Sequence, residues 1–147
     1  APVGRELGRY IFRKELSDSE SGGVDEGDGS VVIVIATDAP VDARNLERMA
    51  ARSMMGLART GAAGTNGSGD YAIAFSTHPD LRISYGAKDV RQVPLLPNDA
   101  MSPLFLAVIE TTEEAIYNSL FRAKTMSGNG ITIEALPIEE TIEIIRR

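Results

Sequence analysis

An unbroken apolar, β-branched run, Val31-Val32-Ile33-Val34-Ile35-Ala36-Thr37, starts directly after a stretch almost devoid of apolar groups. A run this short and this rich in Val and Ile reads as a fully buried strand. Residues 17–29, Ser-Asp-Ser-Glu-Ser-Gly-Gly-Val-Asp-Glu-Gly-Asp-Gly, are acidic and glycine-rich. They cannot bury enough apolar surface to offset the entropy of ordering, so a mobile linker is expected there. Ser30 stands where the two meet. A Gly29–Ser30 junction of this kind is where a chain can cut itself and leave a serine at the head of a core strand. Such a serine carries nucleophile and base on one residue. Its hydroxyl attacks, and its own α-amino group, of unperturbed pKa about 7.7–8.0, takes the proton. Gly-Ser is also a common linker dipeptide, so an ordinary loop into a strand remains open on these residues alone.

The whole composition narrows the chemistry. The 147 residues suffice for one domain with one substantial core. The formal net charge is −6 with scattered basic residues, which argues against a nucleic-acid footprint. No apolar run approaches the ~18–20 residues a membrane span needs. Cysteine is absent, which excludes disulfides, thiolate nucleophiles and thiolate metal sites. The single histidine, His78, excludes a multi-histidine metal site, and any Ser-His-Asp triad would have to use it. It lies in the turn-like Ser76-Thr77-His78-Pro79-Asp80 and is expected to be a solvated loop residue. The chain opens on Ala1 rather than methionine, so a piece of a longer or processed polypeptide is expected. A cytoplasmic location is expected, with the periplasm as the alternative.

Hydrophobic spacing organises the rest. Tyr10-Ile11-Phe12 reads as a short strand. A helix is expected from about Asp42, a plausible N-cap, to Thr60, with Gly61 as its stop. Leu46, Met49, Ala50, Ser53, Leu57 and Ala58 form its apolar stripe. Arg44, Arg48, Arg52 and Arg59 fall largely off that stripe, as a solvated face or as ion pairs to a partner subunit. Tyr71–Ser76 reads as a second strand and Leu81–Tyr85 as a third. Residues 86–100 read as irregular. A long helix is expected from about Ser102, as cap, to Thr125, with Pro103 in its first position. Its buried side is read as Leu106, Ile109, Ala115, Ile116, Leu120 and Ala123. Gly128-Asn129-Gly130 is read as its stop, Ile131–Leu136 as a last strand, and Pro137 as the opening of a short helix. This order suggests a sheet with helices on one face, to be completed by another layer.

Between the first helix and the second strand lies Gly64-Thr65-Asn66-Gly67-Ser68-Gly69-Asp70. Its glycines allow close backbone approach. Ser68 and Asp70 are two apart, which puts both side chains on one side of an entering strand. A hydroxyl and a carboxylate so placed can orient an N-terminal ammonium or a serine hydroxyl. Three other readings compete. The segment suits a plain turn. It suits a phosphate loop poorly, because it lacks a Lys-Ser/Thr ending and follows a helix. Asn66-Gly67-Ser68 matches a glycosylation acceptor, which needs a secretory setting.

Taken together, these blocks resemble one family. Gly27-Asp28-Gly29-Ser30-Val31-Val32-Ile33-Val34-Ile35-Ala36-Thr37-Asp38-Ala39-Pro40 looks like the start of the small β-subunit of the self-processing, DmpA-like aminopeptidases. These include L-aminopeptidase/D-amidase/esterase and the β-peptidyl aminopeptidases. Leu57–Gly61, Asn66–Asp70, Ala74–Thr77 and Asn129–Pro137 carry the same likeness, which covers about residues 27–140. The resemblance implies an α/β fold, a four-layer α/β/β/α sandwich like that of N-terminal-nucleophile hydrolases, only partly covered by this chain. It implies a longer precursor cut at Gly29–Ser30. Residues 1–29 would then end the α part, and residues 30–147 would be the β part. It implies Ser30 as nucleophile with Ser68 and Asp70 in support; many relatives carry glutamate at the position of Asp70. The oxyanion-hole asparagine and the carboxylate that binds the substrate amine would lie in the α part. The partners implied are that α part, a short peptide, amide or ester substrate, and further copies in a homo-oligomer. No cofactor, metal, nucleic acid or membrane is implied. An acyltransferase of the ornithine acetyltransferase type is a second reading, disfavoured because that family exposes threonine. A non-catalytic homologue is the third.

Overall fold

The computed structural model describes residues 30–64 and 66–146. The strand expected at Tyr10–Phe12, the linker at 17–29 and Gly29 lie outside the described residues. The chain divides into two compact units, one of residues 28–114 and one that holds 115–147.

The first unit is built on a β–α–β core. Strand β1 (Val32–Thr37) pairs in parallel with β2 (Tyr71–Ser76), Val32 opposite Tyr71 and Thr37 opposite Ser76. Between them runs helix α1 (Ala43–Arg59). Asp42 caps it, its carboxylate accepting the Asn45 N–H at 2.7 Å. One of the orphan donors of the first turn is thereby satisfied. Helix α2 (Ser102–Arg122) follows a long irregular segment, and its residues 102–114 belong to this unit. The Met101 carbonyl accepts the Phe105 N–H at 3.0 Å, so the helix starts at Ser102 with Met101 as its cap. Val41, Met49, Met101, Phe105 and Val108 form the core, with Ile35, Leu46, Ala74, Leu96 and Leu104 packed around it. The Phe105 ring also carries two guanidinium groups, Arg52 at 3.6 Å and Arg48 at 4.8 Å from its centroid. Arg59 pairs with Glu113 at 3.3 Å. These three arginines therefore pack within the chain rather than forming a solvated face.

Four sequence expectations change here. First, β1 is not buried on both sides. Side chains alternate, and Val32, Val34, Tyr71, Ile73 and Phe75 share one exposed face. Secondly, the buried side of α1 is Asn45, Met49, Ser53 and Gly56, while Ala58 is exposed. Gly56 is buried because α2 crosses there. A Cβ on it would stand 2.5 Å from the Ile109 carbonyl oxygen and 2.8 Å from Thr112 Cβ. Thirdly, Leu81–Tyr85 is not a strand. Pro79–Leu81 makes a 3₁₀ turn whose Asp80 N–H is accepted by His78 Nδ1, and Ile83 and Tyr85 project into solvent. Proline sets the turn, and alternation alone cannot make a strand without a neighbour to pair with. Fourthly, the buried side of α2 is Phe105, Val108, Ile109 and Thr112, whereas Leu106, Ala115, Leu120 and Ala123 are exposed.

In the second unit, Gly128-Asn129-Gly130 is not a helix stop but the turn of a hairpin. Strands β3 (Met126–Gly128) and β4 (Ile131–Ile133) pair antiparallel, with Asn129 at φ 50° and Gly130 at φ 79°. Two successive positive φ values mark the two-residue turn that Asn-Gly favours. The last strand accordingly ends at Ile133, not Leu136. Helix α2 ends at Arg122, short of Thr125, whose hydroxyl accepts the Ala135 N–H. Helix α3 (Ile138–Ile145) follows Pro137 as expected.

Candidate active site

The parallel register fixes where the candidate residues stand. Two residues before Val32 on one strand and Tyr71 on the other come Ser30 and Gly69. They lie opposite each other at the entry end of the sheet. The Tyr71 N–H donates to the Val31 carbonyl at 2.9 Å, the first rung of the ladder here. One position earlier the pattern changes. The Gly69 N–H donates at 3.0 Å to the Ser30 hydroxyl oxygen. Ser30 is itself exposed, so the oxygen is fixed without being shut away.

Gly69 has room for this because it has no side chain. A Cβ there would come 3.3 Å from Ser30 Oγ and 3.4 Å from the edge of the Tyr71 ring. The residues on either side of it are the other two candidates. The Ser68 hydroxyl donates to Asp70 Oδ1 at 2.8 Å, and both residues are half-buried. The Ser68–Asp70 bond holds the carboxylate and orients the hydroxyl oxygen, leaving its lone pairs to accept from a nearby N–H or ammonium. The structure thus brings Ser30, Ser68 and Asp70 to one strand entry, linked through Gly69. Gly29, the other side of the expected cut, lies outside the described residues.

His78 takes no part in this arrangement. It caps the 3₁₀ turn after the C-terminal end of β2, at the opposite end of the strand from Ser30. Any serine chemistry here needs another base, and an N-terminal amine on Ser30 is one. The Gly69 N–H is the component that sequence reasoning missed. Backbone donors have no residue type of their own, but pairing the two strands by their apolar alternation would have set Gly69 opposite Ser30.

A strand-borne serine at the entry of a parallel pair, held by a glycine-rich loop, is the arrangement of a hydrolase whose nucleophile heads a strand. Comparison with known proteins agrees. The sequence model of peptidase family S58 matches residues 1–133. The beta-peptidyl aminopeptidase BapA of Sphingosinicella microcystinivorans is 41% identical over 152 aligned positions, which take in 100% of this chain and 38% of that protein. A protein of known crystal structure from Pyrococcus horikoshii OT3 superposes with a TM-score of 0.74 at 47% identity, over 91% of this chain and 36% of that one. The L-aminopeptidase D-Ala-esterase/amidase of Ochrobactrum anthropi superposes at 0.72 with 28% identity, over 86% of this chain and 36% of that one. It is described as a prototype serine aminopeptidase with a variant of the Ntn hydrolase fold. The chain belongs to peptidase family S58, and its fold is part of that Ntn-hydrolase-like α/β architecture. It spans well under half the length of these relatives, which carry a further region.

Proposed function

We propose that this chain carries the nucleophile of a self-processing serine aminopeptidase. Residues 1–29 end the α part of a longer precursor, and residues 30–147 form the β part. Cleavage of Gly29–Ser30 frees the Ser30 α-amine. Before that cut the Ser30 nitrogen is an amide and cannot act as base, so turnover depends on processing. After it, the Ser30 hydroxyl attacks the carbonyl of an N-terminal peptide, amide or ester bond while the amine takes its proton. The amine returns that proton to the leaving group, and water then releases the acyl group from Ser30. Ser68 and Asp70 orient the amine and the hydroxyl. The rest of the precursor supplies the oxyanion-hole asparagine and the carboxylate that holds the substrate amine. No cofactor enters this scheme.

The observation that carries this reading is the fixed Ser30 oxygen, 3.0 Å from the Gly69 N–H, with the Ser68–Asp70 pair on either side of that donor. The experiment is to purify the full-length protein and measure intact mass and new N-termini. A fragment beginning Ser-Val-Val-Ile is expected, and Ser30→Ala should stay in one piece. A folded precursor that never yields that N-terminus overturns the reading.

The finished enzyme is a homo-oligomer of processed units, acting in the cytoplasm on short substrates. Exposed Met55 beside the α1 stripe and the exposed Tyr117 and Leu120 of α2 supply apolar surface of the kind that subunit contacts use. Light scattering tests this part. A single αβ unit at micromolar concentration would show it wrong.

A further inference from the structure

The ladder between β1 and β2 assigns an acceptor to each donor on β2. In a parallel pair the N–H of one residue reaches the carbonyl one position before its partner. Tyr71, opposite Val32, follows the rule and donates to the Val31 carbonyl at 2.9 Å. Gly69 stands opposite Ser30, so the same rule assigns its N–H to the carbonyl of residue 29. That carbonyl belongs to the bond proposed to be cut. The Gly69 N–H instead donates to Ser30 Oγ at 3.0 Å. One donor therefore has two designated acceptors, and they are the two oxygens that meet on one carbon when Ser30 attacks Gly29.

The geometry points to the Gly69 N–H as the catalytic donor of self-cleavage, passed between the attacking oxygen and the scissile carbonyl oxygen. The inference rests on the reading of Ser30 as nucleophile and adds the group that stabilises charge in that step. In the resting chain the N–H holds Ser30 Oγ and favours loss of its proton, since a hydrogen bond to the charged form stabilises it. Attack forms the Oγ–C bond to the Gly29 carbonyl carbon, and the carbonyl π electrons move onto its oxygen. That oxyanion sits at the ladder position facing the Gly69 N–H. The proton from Oγ goes to the Ser30 nitrogen, the C–N bond breaks, and the oxyanion reforms a carbonyl. An ester joins Gly29 to Ser30 Oγ, and the Ser30 amine is free. Water then cleaves the ester to a Gly29 carboxylate and the Ser30 hydroxyl, whose oxygen returns to the N–H. In later turnover the same N–H supports Oγ each time it leaves an acyl group.

Two substitutions at this position separate the donor from the space around it. Gly69→Pro removes the N–H. Gly69→Ala keeps it but places a Cβ 3.3 Å from Ser30 Oγ, so the oxygen must shift by a few tenths of an ångström. In full-length precursor, Gly69→Pro should slow formation of the Ser-Val-Val-Ile terminus by about 10²-fold or more, the loss usual for one oxyanion donor. Gly69→Ala should slow it by roughly tenfold, as small misplacements of reacting atoms do. In processed Gly69→Ala enzyme, kcat on an amino-acid p-nitroanilide should fall by a similar factor with KM unchanged, which loosened packing alone would not produce. Thermal melting reports whether each variant folds. A folded Gly69→Pro precursor that cleaves within twofold of the parent rate overturns the inference. If the proline variant does not fold, Gly69→Ala cleaving at the parent rate overturns it. Ser30→Ala keeps the two ideas apart. If Ser30→Ala precursor is still cut at the same bond, the reading of Ser30 itself fails. If it stays intact while the Gly69 variants cleave normally, only the role of Gly69 fails.

Discussion

The Ser68 hydroxyl donates to Asp70 Oδ1 at 2.8 Å across a glycine whose own N–H holds Ser30. The bond occupies one carboxylate oxygen and fixes the direction of the Ser68 oxygen. If this pair orients the Ser30 amine, each member acts through geometry as well as charge. Ser68→Ala removes the oriented oxygen, and Asp70→Asn removes the charge with almost no change of shape. Each should lower turnover of an amino-acid p-nitroanilide by about 10²-fold or more, the range of acid–base partners. Melting temperatures should stay near the parent value. Activity near that of the parent in both variants would return this segment to a plain turn.

The helix crossing makes a different demand. Gly56 of α1 meets α2 with no room for a methyl group, because a Cβ would lie 2.5 Å from the Ile109 carbonyl oxygen. The obstacle is backbone, which cannot rotate away. Gly56→Ala raises helix propensity by about 1 kcal/mol in isolation. Here it should instead destabilise the protein by about 1–3 kcal/mol, as overpacking does. Urea unfolding of the processed protein reads the sign directly. A stabilised Gly56→Ala variant would mean that the two helices are free to move apart.

That crossing also shows what the sequence could and could not disclose. Strand β2 and the bounds of α1 were legible because Tyr71–Ser76 is a compact apolar run and Asp42 and Gly61 punctuate the helix. The face of α1 was not, since a hydrophobic stripe has no place for Asn45 or Gly56. Asn45 is buried because Arg48 bonds its side chain, and Gly56 because a helix needs the space. Asn129-Gly130 carried a hairpin signal that the preceding helix pattern masked. At the site the side chains of Ser30, Ser68 and Asp70 were readable. The donor that joins them is a backbone N–H, visible only once two distant strands are in register.

Helix α1 connects the two strands whose entry ends carry Ser30 and Gly69, so its cap bears on the site through stability. The Asp42 carboxylate is held at 2.7 Å from the Asn45 N–H. Asp42→Ala should cost about 1 kcal/mol, while Asp42→Ser or Asp42→Asn should cost little, because each still offers an oxygen to the same donor. Chemical unfolding of the three variants distinguishes a cap from a surface charge. Equal losses in all three would show that charge, not the hydrogen bond, is what matters at this position.

The last expectation concerns the face that α1 does not cover. Val34 is 62% exposed and Ile73, its register partner, 58% exposed. With Val32, Tyr71 and Phe75 they make one apolar strip of sheet. Such a strip is larger than a soluble surface usually tolerates and marks a contact. In the layered fold of this family, a second sheet is the partner with matching shape. An aspartate placed there would be buried without a counter-ion when the full-length protein assembles, a cost of several kcal/mol. Ile73→Asp in the precursor should therefore abolish soluble, processed protein. The outward-facing control Glu47→Asp on α1, at an exposed position, should leave yield and processing unchanged. Cleavage and soluble yield after Ile73→Asp equal to those of the parent would show that this sheet face stays in water.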